Sequence, residues 1–257
     1  MTTKIERIIN NILKLRYWLR STKEVRYYMN RALWESGYPW TKLSPTPLKN
    51  IFPGIDYSKD TIIIQNPFNR RRGTSVELDE LMAILAIVRH TNANKIIEIG
   101  TFDGNTTLNL ALNVRDSGSI VTVDLPPEGL GGLNQSGVSQ PAEFEKRQYV
   151  GHQVEKRITQ VYGDSAEIDW SSIGGPFDLA FIDGDHTSPY VLSDTRNILS
   201  ILNPGGIVIW HDYEYKSVAT ILDRAVEQGD AIYWILGTRL AVARFNDPSV
   251  SAKNFRD

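Results

Sequence analysis

In AIYWILGTRLAVARF, Ala231 to Phe245, two apolar runs are separated by Gly237 and Thr238 alone. Parallel strands need a long crossover, so runs joined by two residues must be antiparallel neighbours. The chain before them reads the opposite way. Strands KIIEIG (Lys95 to Gly100), SIVTVDL (Ser119 to Leu125), RITQVYG (Arg157 to Gly163), FDLAFID (Phe177 to Asp183) and GGIVIWH (Gly205 to His211) are interleaved with helical patterns. Those helices are NTTLNLALNVRD, SPYVLSDTRNILSIL and SVATILDRAVEQG. Short apolar strands alternating with amphipathic helices imply βαβ units and parallel pairing. Together these patterns predict an α/β fold: a Rossmann-like, seven-stranded, mainly parallel sheet with an antiparallel last strand, helices on both faces and an N-terminal helical extension. The closing hairpin separates it from an ordinary dinucleotide-binding sheet.

The chain's 257 residues, 41% of them hydrophobic, suffice for one sizeable core. A net charge of -2 and a pI near 6.1 give no global attraction for nucleic acid or an anionic membrane. The absence of cysteine excludes disulfides, thiolate metal sites and cysteine nucleophiles. The N-terminus is too interrupted by charge for a transmembrane span or a signal peptide, which predicts a cytoplasmic protein. There Ile5, Ile8, Ile9, Ile12, Leu15 and Leu19 recur at helical spacing among Lys4, Arg7, Lys14 and Arg20. Such a helix packs on the main domain, pairs with a second subunit in a homodimer, or lies on a membrane surface. From Tyr38 to Gly73, proline and polar residues break regular structure. The predicted division is 1–74, a helical extension and linker, and 75–257, the compact domain. TSVELDELMAILAIVRH opens that domain as a helix, with Thr74 and Glu77 spaced as a capping box.

IIEIGTFDGNTT, Ile96 to Thr107, places Glu98 at a strand end, then Gly100 and Gly104, then a helix start. Glycines there let backbone approach a ligand, and the helix N-terminus offers free N–H groups. Asp124 ends the next strand, where an acid typically accepts ribose hydroxyls, and Gly163, Asp164 and Ser165 end the third. Asp124 and Asp164 would alternatively cap the turns that follow them. The loop is not GxGxxG, and a carboxylate two residues before its first glycine suits a ligand without a pyrophosphate.

Glu98-x-Gly100-x-x-x-Gly104, Asp124, FIDGDH and LNPGGIVIWHDY resemble the class I S-adenosylmethionine-dependent methyltransferases. Within them the chain is similar to metal-dependent O-methyltransferases of the catechol type and to the branch of macrocin O-methyltransferase and cephalosporin hydroxylase-like proteins. The resemblance covers approximately Ser75 to Phe245. It implies S-adenosylmethionine as cofactor, with Glu98 and Asp124, followed by Leu125, holding the ribose. The backbone of Gly100, Thr101, Phe102, Gly104 and Asn105 would face the methionine part. Gly163, Asp164 and Ser165 would meet the adenine, with Asp183 bordering the cofactor.

FIDGDH and IVIWHDY end adjacent strands, so Asp183 and Asp212 converge. Two such carboxylates repel unless a proton or a cation sits between them, and Mg²⁺ or another divalent cation is the economical solution. By the resemblance, Asp183 and Asp212 match two metal ligands. Tyr213 stands where the family usually has asparagine, so the third ligand is Asp185, His211 or water. His186 occupies the place of a lysine base. Of four histidines, His186 and His211 sit at these strand ends, whereas His90 and His152 have no such context. His186 and His211 either take the proton of a substrate hydroxyl or merely bond nearby loops, and Asp185 reads as a helix cap.

The function predicted is O-methylation of a small hydroxylated molecule, a sugar or secondary metabolite, with His186, His211 and Asp212 as catalytic residues. One alternative is a non-haem iron oxygenase built on His186, His211 and either Asp183 or Asp212; another is a non-catalytic cofactor-binding module. PPEGLGGLNQSGVSQP, Pro126 to Pro141, reads as a lid or a plain surface loop. Arg70, Arg71 and Arg72 reach substrate or form a solvated face, and Trp40, Phe52 and Phe68 are candidates for lining a substrate pocket.

Overall fold

The computed structural model describes residues 30, 32–56, 58, 61–67, 76–126 and 147–256. The basic N-terminal helix, Thr74, Phe68, the Arg70–Arg72 run and the body of the proposed lid lie outside them.

The strands are β1 (Pro45–Thr46), β2 (Lys95–Ile99), β3 (Ser119–Asp124), β4 (Ile158–Tyr162), β5 (Phe177–Ile182), β6 (Leu202–Trp210), β7 (Ile232–Ile235) and β8 (Ala241–Phe245). They form one eight-stranded sheet in the order β1-β7-β8-β6-β5-β2-β3-β4. Only β8 runs against its neighbours, pairing antiparallel with both β6 and β7. The seven predicted strands are therefore present. The eighth, β1, comes from the segment predicted to be irregular; its Thr46 carbonyl accepts the Leu236 N–H, and Pro45 is tolerated because an edge strand need not donate.

Alternation along the strands divides the apolar residues between two cores. On β5, Phe177, Ala180 and Ile182 face α4 (Ser188–Ser200) and α5 (Lys216–Glu227), while Leu179 and Phe181 face α2 (Leu78–Thr91) and α3 (Asn105–Asn113). Both faces of the central strands are thus covered, which is why they read as continuous apolar runs. The short helices α1 (Leu48–Ile51) and α6 (Pro248–Ser251) lie at the periphery of the sequence order. Leu33, Trp34 and Tyr38, upstream of the compact domain predicted from sequence, belong to the α4/α5 core.

One boundary moves. The N-cap of α2 is Glu77, whose backbone N–H donates to the Glu80 carboxylate at 2.8 Å, so the box sits three residues later than Thr74 and Glu77 imply. The carboxyl ends of β2, β3, β4, β5 and β6 meet on one edge of the sheet, which is where such sheets bind ligands.

Candidate functional site

Along that edge the loop after β2 is shaped by its glycines. Gly100 has φ +95°, and a Cβ there would lie 2.1 Å from the Asp183 carbonyl oxygen. Gly104, φ +77°, is the N-cap of α3 and is packed against the Tyr149 ring. Phe102 also has a positive φ of 49°, and its N–H donates to Asp124 Oδ2 at 3.0 Å. Asp124 further accepts from the Leu125 N–H at 2.9 Å and from Arg147 Nη2 at 2.9 Å. Arg147 is buried, and its Nε and Nη1 have no hydrogen-bond partner among the described residues.

Glu98 is wholly buried. Its Oε2 accepts from the hydroxyls of Thr107 at 2.5 Å and Thr122 at 2.7 Å, while Oε1 has no partner among the described residues. Burial, only partly opposed by those hydroxyls, pushes its carboxyl up to about 8. Thr101 bonds Thr122 at 2.6 Å, and Asn105 forms the first turn of α3. At the end of β4, Asp164 accepts from the Tyr190 hydroxyl at 2.8 Å and from the Ala166 N–H at 2.9 Å, the turn-holding role expected of a capping acid. The Ser165 carbonyl receives the Trp170 indole N–H at 2.9 Å.

Beside this cradle, ligand atoms of Asp183, His186, His211 and Asp212 all lie within 4.8 Å of one another. His186 Nε2 is 2.9 Å from Asp212 Oδ2 and 3.6 Å from Asp183 Oδ1. His211 Nδ1 is 2.9 Å from Asp183 Oδ1 and 3.2 Å from Asp212 Oδ1, and its Nε2 is 3.1 Å from Glu80 Oε2. Arg239 closes the group: Nη1 donates to Asp212 Oδ1 at 2.8 Å and Nη2 to Glu80 Oε2 at 2.7 Å. Three carboxylates thus face three cationic groups. Burial works against every one of these charges, but the opposite charges outweigh it. Asp212 is held well below the usual carboxylate range, Asp183 is lowered, His186 is lifted to about 10 and His211 is raised well above its ordinary value.

A family model described as a methyltransferase domain matches residues 97–213, the span from β2 to just past Asp212. Over that span the chain is similar to a methyltransferase domain. Its relatives include tapetum-specific methyltransferase 1 of Arabidopsis thaliana, 29% identical over 52% of this chain and 52% of that one. Caffeoyl-CoA O-methyltransferase of Stellaria longipes is 25% identical over 65% of each. The chain therefore spans about half to two thirds of the length of the curated relatives it matches. Among solved structures, cofactor-bound Rv0187 from MTB superposes with a TM-score of 0.53 at 19% identity, covering 67% of this chain and 82% of that one, a likeness of fold.

Every described residue predicted as catalytic, cofactor-binding or metal-ligating lies along the one sheet edge. Asp185 accepts the Thr187 N–H at 2.7 Å and so holds the turn into α4, whose N-cap is Thr187. His152 holds a local turn through the Val154 N–H. Tyr213, where asparagine was expected, is buried and donates to Asp223 at 2.5 Å. Trp40 donates to the Glu214 carbonyl at 2.8 Å, two residues from Asp212. Phe52 packs with His90 around a separate cavity of ≈ 250 Å³, also lined by Tyr233 and Arg244, away from the acid–histidine cluster. Glu80, Arg147 and Arg239 were missed. No described helix is long and apolar enough to cross a membrane.

Proposed function

We propose that the chain transfers the methyl group of S-adenosylmethionine to a hydroxyl oxygen of a small molecule, a sugar or secondary metabolite, with residues 75–257 as the catalytic unit. The observation that carries this reading is a shared wall: Gly100 of the cofactor loop lies against the Asp183 backbone of the acid–histidine cluster. Methyl donor and acceptor must meet at roughly 3–3.5 Å, in line, and adjoining sites of this kind allow it.

The cradle fits the cofactor. Asp124 takes the ribose hydroxyls, beside Arg147, whose buried unpartnered nitrogens offer donors to the same oxygens. Asp164 and Ser165 meet the adenine, and the backbone of residues 100–105 faces the methionine part. Glu98, enclosed, ties that loop to α3 and β3 through Thr107 and Thr122. When bound, the cofactor supplies an electrophilic methyl on a sulfonium.

His186, rather than His211, is placed to take the substrate proton when its imidazole is in the neutral form, because its side chain is 29% exposed against 3%. Asp212 and Asp183 orient the acceptor oxygen, which forms its bond to carbon as the carbon–sulfur bond breaks. The donors also fit a divalent cation on Asp183 and Asp212 with His211 as third ligand, which would acidify a bound hydroxyl and replace the charge the histidine protons now provide. Two imidazoles in the cluster favour a transition-type ion over Mg²⁺, which prefers oxygen.

The test is calorimetric titration of the protein with S-adenosylmethionine, followed by a transfer assay on phenolic acceptors of the kind named for the Stellaria relative, with Mn²⁺, Mg²⁺ or chelator. We expect binding, and His186→Ala should lose turnover while keeping cofactor affinity within about threefold. Absence of cofactor binding with tight Fe(II) binding would leave the oxygenase reading in its place.

A further inference from the structure

Glu80 lies on α2, outside the matched domain and far in sequence from the strand ends, yet both of its carboxylate oxygens reach this site. Its Oε1 accepts from the Arg239 backbone N–H at 2.8 Å and Nε at 2.9 Å. Its Oε2 accepts from Arg239 Nη2 and from the Glu77 N–H, and faces His211 Nε2 at 3.1 Å. At 1% exposure it cannot touch a substrate. Arg239, whose third arm reaches Asp212, also accepts the Tyr213 N–H on its backbone carbonyl at 2.9 Å. It therefore grips Asp212 by the side chain and by the following peptide, and Asp212 sits in the left-handed region, φ +54°, which a non-glycine residue keeps only when its surroundings enforce it.

We propose that Glu80 and Arg239 are positioning residues: Glu80 anchors Nε2 of His211 so that Nδ1 is turned toward Asp183 and Asp212, and Arg239 fixes the Asp212 carboxylate against it. An imidazole nitrogen is oriented by the bond its other nitrogen makes, and carboxylate partners of this type matter nearly as much as the residues they hold. His211 is thereby an anchored member of the cluster, and His186 alone keeps the freedom to meet a substrate. The bland alternative is that the pair only staples α2 to the β7–β8 hairpin.

A double variant separates the two. Glu80→Met/Arg239→Met removes both charges at similar volume, a replacement that buried ion pairs often tolerate. In the ¹⁵N-labelled chain, long-range ¹H–¹⁵N correlation reads the protonation pattern of each imidazole, and the four histidines are assigned by single substitutions. The expected result is a folded variant in which His211 loses its fixed Nε2–H pattern. S-adenosylmethionine affinity should stay within about threefold, and turnover should fall about 10–100-fold. An unchanged His211 pattern in the folded variant overturns the proposal. If the double variant does not fold, Glu80→Gln carries the same spectroscopic test, and an unmoved His211 signal there is equally fatal. The turnover arm rests on the transferase reading; if the wild-type chain transfers no methyl group that reading fails, while the imidazole signals still decide this one.

Discussion

Glu80 and Glu98 occupy equivalent depths, at 1% and 0% exposure, behind the two halves of the same sheet edge, yet their neighbours put them in opposite charge states. Behind the cluster, burial pushes Glu80 up, but Arg239 and then His211 outweigh it and hold the carboxyl far below its usual range. Behind the cradle, Glu98 has only the Thr107 and Thr122 hydroxyls to oppose burial, and it rises to about 8. Depth alone does not decide whether a buried acid carries charge; an adjacent cation does. The half proposed to handle protons is built from fixed, mutually compensating charges. The half proposed to cradle a sulfonium keeps its buried Glu98 neutral at neutral pH.

The comparison breaks most visibly if Glu80 is removed alone. Glu80→Ala removes the carboxylate that Arg239 grips with Nε and Nη2 and leaves that buried cation undercompensated, and losing one member of such a pair costs about 3–5 kcal/mol. Denaturant unfolding checks it. A loss under about 1 kcal/mol would mean that Glu80 carries no net charge in the fold and that the contrast with Glu98 is empty.

Glu98→Gln tests the other side through pH. The folded group titrates near 8 and the unfolded one at the ordinary 4.5, so between those values the unfolded chain releases a proton that the folded chain keeps. Wild-type stability therefore falls as pH rises from about 4.5 to 8 and levels above, by up to about 5 kcal/mol. The carboxamide has no such slope, though its own buried N–H groups cost about 1–3 kcal/mol. The variant should therefore be more stable than wild type by about 2 kcal/mol at pH 8.5 and no better at pH 4.5. Melting curves across that range decide it, and parallel curves for the two proteins would show that Glu98 is already ionised.

The two halves were also unequally legible from sequence. Most of the cradle announces itself locally: positive φ at Gly100 and Gly104 demands glycine, and an acid at the end of β3 follows at the expected interval. Asp183, His186, His211 and Asp212 show because charge at the tip of an apolar strand is conspicuous. Glu80 and Arg239 do not, because the contact that gives them meaning spans 159 residues. One signal was available. Glu80 lies on the helical stripe that continues through Ile84, Ile87 and Val88, all buried, and an acid on such a stripe requires a partner. Arg239, the first residue of the second run in the closing hairpin, was read only as a strand start. Strand β1 had no signal at all, since two residues have no period and only the edge of β7 defines it.

The finest test of the contrast is Thr107→Val. Valine matches threonine in shape and has similar helix propensity, so the change removes one hydroxyl and little else. That hydroxyl donates to Glu98 Oε2 at 2.5 Å, and Thr122 retains the second bond. Losing one such bond costs about 1 kcal/mol. The direction of the accompanying shift is the sharper readout: the Thr107 hydroxyl pulls the Glu98 carboxyl down, so its removal lets burial push the group higher, and the pH at which stability levels off must move up. A variant that loses stability without moving that pH would show that the hydroxyl supports the helix and not the acid, and Glu98 would then owe its neutrality to depth alone.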